Sequence, residues 1–103
     1  MYARLSRFAG MPPERIEQTV KAFEDDHLPM LEQAEGFRGI LVGVDWNAGK
    51  AAAISFWESR EALEASDRAA NQARDAAVDS AEPDREPIVD RYEVVLQREV
   101  QPR

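Results

Sequence analysis

The chain has 103 residues, 44% hydrophobic and 32% charged, with 20 Asp and Glu against 13 Lys and Arg, a formal net charge of -7 and no cysteine. That is material for one domain with a single core; it excludes disulfide scaffolds, thiolate metal sites and cysteine nucleophiles, and the acidic balance with scattered basic residues speaks against nucleic acid as a partner. The start, Met1-Tyr2-Ala3-Arg4-Leu5-Ser6-Arg7, lacks the apolar stretch of a secretory signal, and no run approaches the roughly 18 apolar residues of a membrane span, so the expectation is a cytoplasmic protein with no membrane partner.

Residues 2–8 favour an extended conformation and are closed by Gly10 and Pro12-Pro13, which separate a first strand from a helix. Pro13 suits a first helical turn, and Ile16, Val20, Phe23, His27 and Met30 or Leu31 then follow the three-four spacing of one helical face. Pro29 inside that helix removes a donor and crowds the carbonyl of Asp25, so the helix is expected to kink or restart near His27 and to end before Gly36. Phe37 to Trp46 is rich in β-formers, Asn47-Ala48-Gly49 supplies a turn, and Lys50 to Trp57 completes a hairpin. Ser59 can cap a short helix through Ser66, and Asp67 can cap another from Arg68 to about Ser80. The latter carries a small-residue face, Ala69, Ala70, Ala73, Ala76 and Ala77, which allows close packing or leaves space for a ligand. After a loop with Pro83 and Pro87, Ile88 to Gln97 reads as the last strand. Residues 1–98 form the domain and 99–103 a polar tail.

The order β-α-β-β-α-β, with the second helical region split, predicts an α+β, ferredoxin-like fold: a four-stranded antiparallel sheet with helices on one face. Alternation is imperfect, with Ile40, Val42 and Val44 on one side and Phe37, Leu41 and Trp46 across both, so neither face suits water. A second copy of the chain is the economical cover for the other face, giving a homodimer.

The segment His27-Leu28-Pro29-Met30-Leu31-Glu32-Gln33-Ala34-Glu35-Gly36-Phe37-Arg38-Gly39 and the junction Phe56-Trp57-Glu58-Ser59-Arg60-Glu61-Ala62-Leu63 resemble the dimeric α+β barrel superfamily, in its antibiotic-biosynthesis-monooxygenase-like branch. That branch shares a helix ending in a P-G-F-x-G type segment and a W-E-S-x-E-A strand-to-helix junction; Glu35 stands where its proline usually does. The resemblance covers nearly the whole chain and implies a homodimer whose two sheets close an incomplete barrel, with a ligand pocket in each subunit between sheet and helices. Members include cofactor-free monooxygenases of polyketide phenols and haem-degrading enzymes. The haem-degrading members use a His on the third helix, a Trp at the end of the second and an Asn on the first strand. Arg74 and Asp75, Ser66, and Ser6 stand in those regions, so haem degradation is disfavoured and no cofactor is expected. His27-Leu28-Pro29 followed by Gly36 carries a secondary likeness to the EthD-like branch.

Among single residues, His27 is the only histidine and stands on the apolar stripe at the expected kink. It is the candidate general base, because it titrates near neutral pH; the alternative is a histidine that packs and bonds locally. Trp57 and Trp46 suit either core and dimer packing or stacking on a planar ligand. Trp57 and Ser55 alternate with Ala51 and Ala53 on one strand face, the expected pocket wall, with Phe23 of the first helix opposite. Arg4 and Ser6 share a face with Tyr2 and Phe8; they either supply polar contacts in that pocket or form inter-subunit ion pairs. Asp25-Asp26-His27 lacks the geometry and the second histidine of a metal site. Two functions stay open: a homodimer binding a small apolar or aromatic metabolite, with cofactor-independent monooxygenation as the reaction and His27 as base, or a dimer that binds or scaffolds without catalysis.

Overall fold

A computed structural model describes residues 1–100; the end of the expected tail, 101–103, lies outside the described residues. Eight elements follow in the order β1 (Tyr2–Phe8), α1 (Pro13–Asp26), α2 (Leu28–Glu32), β2 (Phe37–Asp45), β3 (Lys50–Trp57), α3 (Arg60–Ala65), α4 (Asp67–Ala81) and β4 (Ile88–Glu93). The strands form one antiparallel sheet in the order β2-β3-β1-β4, the ferredoxin-like arrangement expected from the element order.

Each boundary has a local cause. Pro29 stops α1 at Asp26, and α2 restarts at Leu28, with His27 as the residue between them. Gly36 follows at φ 81, a left-handed conformation a side chain resists. Ser59 caps α3, its Oγ accepting from the Ala62 backbone N–H at 3.1 Å. Asp67 does not cap α4 from outside, as its sequence position suggests. It is the first residue of that helix, and its carboxylate is drawn instead to Arg4 and Arg91. The far end of α4 is closed by Glu82, which takes left-handed angles, φ 49 and ψ 56, without being a glycine.

The last strand stops at Glu93, four residues before the expected end at Gln97. Its only neighbour is β1, which pairs Tyr2 with Glu93. Val94 N–H still reaches Met1 O at 2.8 Å, and among the described residues no strand lies alongside the positions after it. Val95 and Leu96 are therefore exposed.

The helices cover one sheet face, over two apolar clusters. Met11, Ile16 and Ala81 anchor one, joined by Phe8, Val20, Val44 and Ala51; Leu31, Trp57 and Leu63 anchor the other, joined by Phe23, Phe37 and Ala69. Trp57 is wholly buried, packs edge-on against Phe37 at 5.3 Å between ring centroids, and donates Nε1–H to Ser55 Oγ at 2.9 Å. Truncation of such a residue to alanine costs about 3–5 kcal/mol.

The strand registers place Leu5, Leu41, Ile54, Phe56 and Tyr92 together on the opposite face. Leu41 is 63% and Tyr92 52% exposed. Trp46, just past β2, is also exposed and contributes nothing to the core of the protomer. Among the described residues no helix is long and apolar enough to cross a membrane.

Candidate functional site

Antiparallel register aligns Arg4 of β1 with Ser55 of β3, and Ser55 with Ile40 of β2; two residues on, Ser6 meets Ala53, and Ala53 meets Val42. Partners opposite one another point to the same face, here the face under the helices. Alanine and serine on the central strands leave room there, and the roof is equally spare: Ala70, Ala73, Arg74 and Ala77 share one face of α4 at i, i+3, i+4 and i+7. A cavity of about 100 Å³ results, lined from β1 and β3 by Arg4, Ser6, Ala53 and Ser55, from β2 by Ile40 and Val42, and from the helices by Ile16, Thr19, Val20, Phe23, Leu31 and the α4 stripe. An enclosed aliphatic cavity of about 150 Å³ can hold benzene; this one is smaller but half open, so the space suits a small ligand that extends to its mouth.

The polar groups gather around Arg4, whose side chain is 3% exposed. Its Nη2 donates to Leu63 O at 2.9 Å, to Ser66 Oγ at 3.0 Å and to Asp67 Oδ1. The guanidinium also lies 6.0 Å from the Trp57 ring centroid, within cation–π range. Its buried Nε has no hydrogen-bond partner among the described residues. Burial pushes the Arg4 guanidinium below the usual arginine value, the bond to Asp67 and its charge opposing this and the charge of Arg91 adding to it. For Asp67 burial works upward, but hydrogen bonds from Arg91, at 3.0 Å, and from Arg4 outweigh it and hold the carboxyl below the usual carboxylate range. Arg74 donates Nη1–H to Ser6 Oγ at 3.4 Å and Nη2–H to Asn71 Oδ1. Its value is lowered by burial first and then by the charges of Arg4 and Arg91, with Asp75 and Asp67 opposing.

Four of the site residues expected from sequence, Arg4, Ser6, Ser55 and Phe23, line this one cavity. The face of β1 that carries Arg4 and Ser6 is thus the helix-facing one, and Arg4 makes its ion pair within the protomer. Trp57 and His27 are not among the lining residues. Trp57 shares the strand face of Ser55, but α2 and α3 close over it and its indole fills the space there. His27, half-buried at the α1–α2 junction, stacks on Phe23 with ring centroids 6.5 Å apart, so Phe23 rather than His27 meets the cavity. Sequence reasoning missed Arg74 and Asp67. The signal for Arg74 is in the sequence, since it stands on the same helical stripe as Ala70, Ala73 and Ala77; Asp67 carries none, because its position equally suits a helix cap.

No protein-family model matches the sequence, and no curated protein resembles it closely enough to match. Solved structures do. A monooxygenase from the ActVA-Orf6 gene of Streptomyces coelicolor, in complex with nanaomycin D, superposes with a TM-score of 0.76 at 13% identity over 99% of this chain and 92% of that one. What is shared with that protein, and with structures assigned as antibiotic-biosynthesis monooxygenases, is the fold. A Deinococcus radiodurans protein provisionally assigned as such a monooxygenase gives a TM-score of 0.74 at 15% identity, over 99% of this chain and all of the other. A dimeric ferredoxin-like protein from an uncultured marine organism gives 0.74 at 11%, over 97% of this chain and 92% of that one. At these identities the likeness of the three proteins to this chain is one of fold.

Proposed function

We propose that the chain is a homodimer that binds a small, largely apolar metabolite between sheet and helices, one per protomer. The observation that carries this reading is the cavity: alanines and serines on its floor and alanines on its roof stand where a packed core would place larger side chains. The dimer rests on the open sheet face. Leu41, Ile54, Phe56 and Tyr92 form an apolar surface that one protomer leaves uncovered, and a second copy presents the same patch.

Cofactor-independent monooxygenation is the reaction that fits such a site, favoured by the likeness in fold to a monooxygenase crystallised with nanaomycin D. In that chemistry a methylene of the substrate's anion is oxidised to a carbonyl by dioxygen, one oxygen atom entering the product and the other leaving as water, so the substrate supplies every electron. With Arg4 and Arg74 the ionisable side chains lining the cavity, the protein's part is to hold an anion and exclude water, while the substrate loses its proton readily by itself.

A panel of small aromatic and quinone-forming ligands, screened for thermal stabilisation, tests the binding reading, because a ligand that binds only the native state raises the unfolding temperature. Oxygen uptake with each stabilising ligand tests the reaction. If no ligand stabilises the wild-type protein at millimolar concentration, the binding reading falls.

A further inference from the structure

The positive charge at the cavity exceeds what the protein supplies to balance it. Arg4 and Arg91 share one carboxylate, Asp67, while Arg74 bonds none and feels Asp75, and after it Asp67, only through space. This stands in a chain whose net charge is -7. Arg4 spends all three of its side-chain hydrogen bonds through Nη2, leaving the buried Nε without an acceptor. Buried donors in folded proteins are nearly always satisfied, and a guanidinium above all. Arg74 faces the same cavity and bonds only the neutral oxygens of Ser6 and Asn71. Ser55 Oγ already accepts from Trp57, which leaves its hydroxyl proton free to donate into the cavity. What the site lacks is a negatively charged acceptor.

Resting on the reading of the cavity as a ligand site, we propose that its ligand is a compact hydrophobic monocarboxylic acid, its carboxylate between Arg4 Nε and Arg74 and its apolar body against Ile40, Val42, Val20 and Phe23. A carboxylate fits better than a phosphate. A cavity of about 100 Å³ leaves no room for a tetrahedral dianion and an apolar body together, and the remaining walls offer aliphatic and aromatic surface instead of further donors.

The test compares benzoate with benzamide, which share a shape and differ in charge, by calorimetry and thermal shift at low salt. The wild-type protein is expected to bind benzoate about tenfold or more tightly than benzamide, the usual advantage of charge-assisted bonds. Arg74→Gln is expected to cut that preference several-fold through the loss of benzoate affinity, Arg4 remaining, while Ala73→Leu, which fills the cavity, is expected to weaken both probes. Equal binding of the two probes overturns the carboxylate assignment and leaves the ligand site standing; binding of neither overturns both. Inorganic phosphate that competes with benzoate at equal concentration, or a benzoate preference undiminished in Arg74→Gln, also overturns the assignment.

Discussion

Replacing Asp67 by Asn keeps its shape and one acceptor but removes the only carboxylate paired with Arg4. Breaking a buried ion pair by neutralising one member costs about 3–5 kcal/mol, because the other charge stays buried without compensation. Asp67 is 34% exposed, and Arg4 keeps its bonds to Leu63 O and Ser66 Oγ, so the expected cost is about 2–3 kcal/mol, a fall in melting temperature of roughly 10–20 °C for a domain of this size. Arg4→Met removes the charge itself. The groups it leaves behind have other partners: Leu63 O accepts from Ser66 Oγ at 2.7 Å and Asp67 accepts from Arg91 at 3.0 Å. The expected cost is about 1 kcal/mol, since replacing a buried charge by a fitting apolar group is often near neutral. The pair also predicts a pH dependence. The Asp67 carboxyl is held below its unfolded value of about 3.9, so its contribution is fully present above about pH 4 and is lost as the pH falls through the lower folded value. Asp67→Asn is expected to flatten the stability profile in that acid range. Urea unfolding at fixed protomer concentration between pH 7 and pH 3 measures both effects. An Asp67→Asn variant as stable as wild type, or an Arg4→Met variant that loses more than Asp67→Asn, would refute the reasoning.

Four further outcomes are expected. Ala73→Leu places a larger side chain at a buried position that lines the cavity; it should change stability by less than about 1 kcal/mol, whereas in a filled core overpacking costs about 1–3 kcal/mol, and denaturant titration separates the two. Glu82→Gly relieves a left-handed residue at the end of α4 whose only ion pair, with Arg15 at 3.5 Å, is exposed; thermal unfolding should show a gain of about 0.5–1 kcal/mol. Gly36→Ala forces a side chain onto φ 81 and brings its Cβ to 2.5 Å from the Ala62 Cβ, so a loss of about 2 kcal/mol or more is expected in the same measurement. Leu41→Lys puts a charge on β2, at the edge of the exposed sheet face, and sedimentation should show the proposed dimer replaced by a monomer at micromolar concentration.

The fold is legible in the sequence because its punctuation is local. Gly10 with Pro12-Pro13, Pro29, Gly49 and Ser59 each act on neighbouring residues, and the elements begin and end beside them. The alternation of Tyr92, Val94 and Leu96 looks the same whether or not a strand lies alongside, so the end of β4 depends on where β1 starts, a partner some ninety positions away in the chain. The candidate site divides in the same way. Arg4, Ser6 and Ser55 follow from strand alternation once a face is chosen. The bond between Arg4 and Asp67 joins residues 63 positions apart, and the displacement of His27 by Phe23 follows from how α1 and α2 meet. Neither is encoded by spacing along the chain.

The sheet order has a consequence for synthesis on the ribosome. Of the four strands Tyr2–Phe8 is made first, yet it lies between Lys50–Trp57 and Ile88–Glu93, and the second of these is made after the other three. The hairpin of Phe37–Asp45 with Lys50–Trp57 can close early. Tyr2–Phe8 must therefore wait with one edge bare while both helical regions are made, and the sheet is finished by the strand farthest from it in the chain.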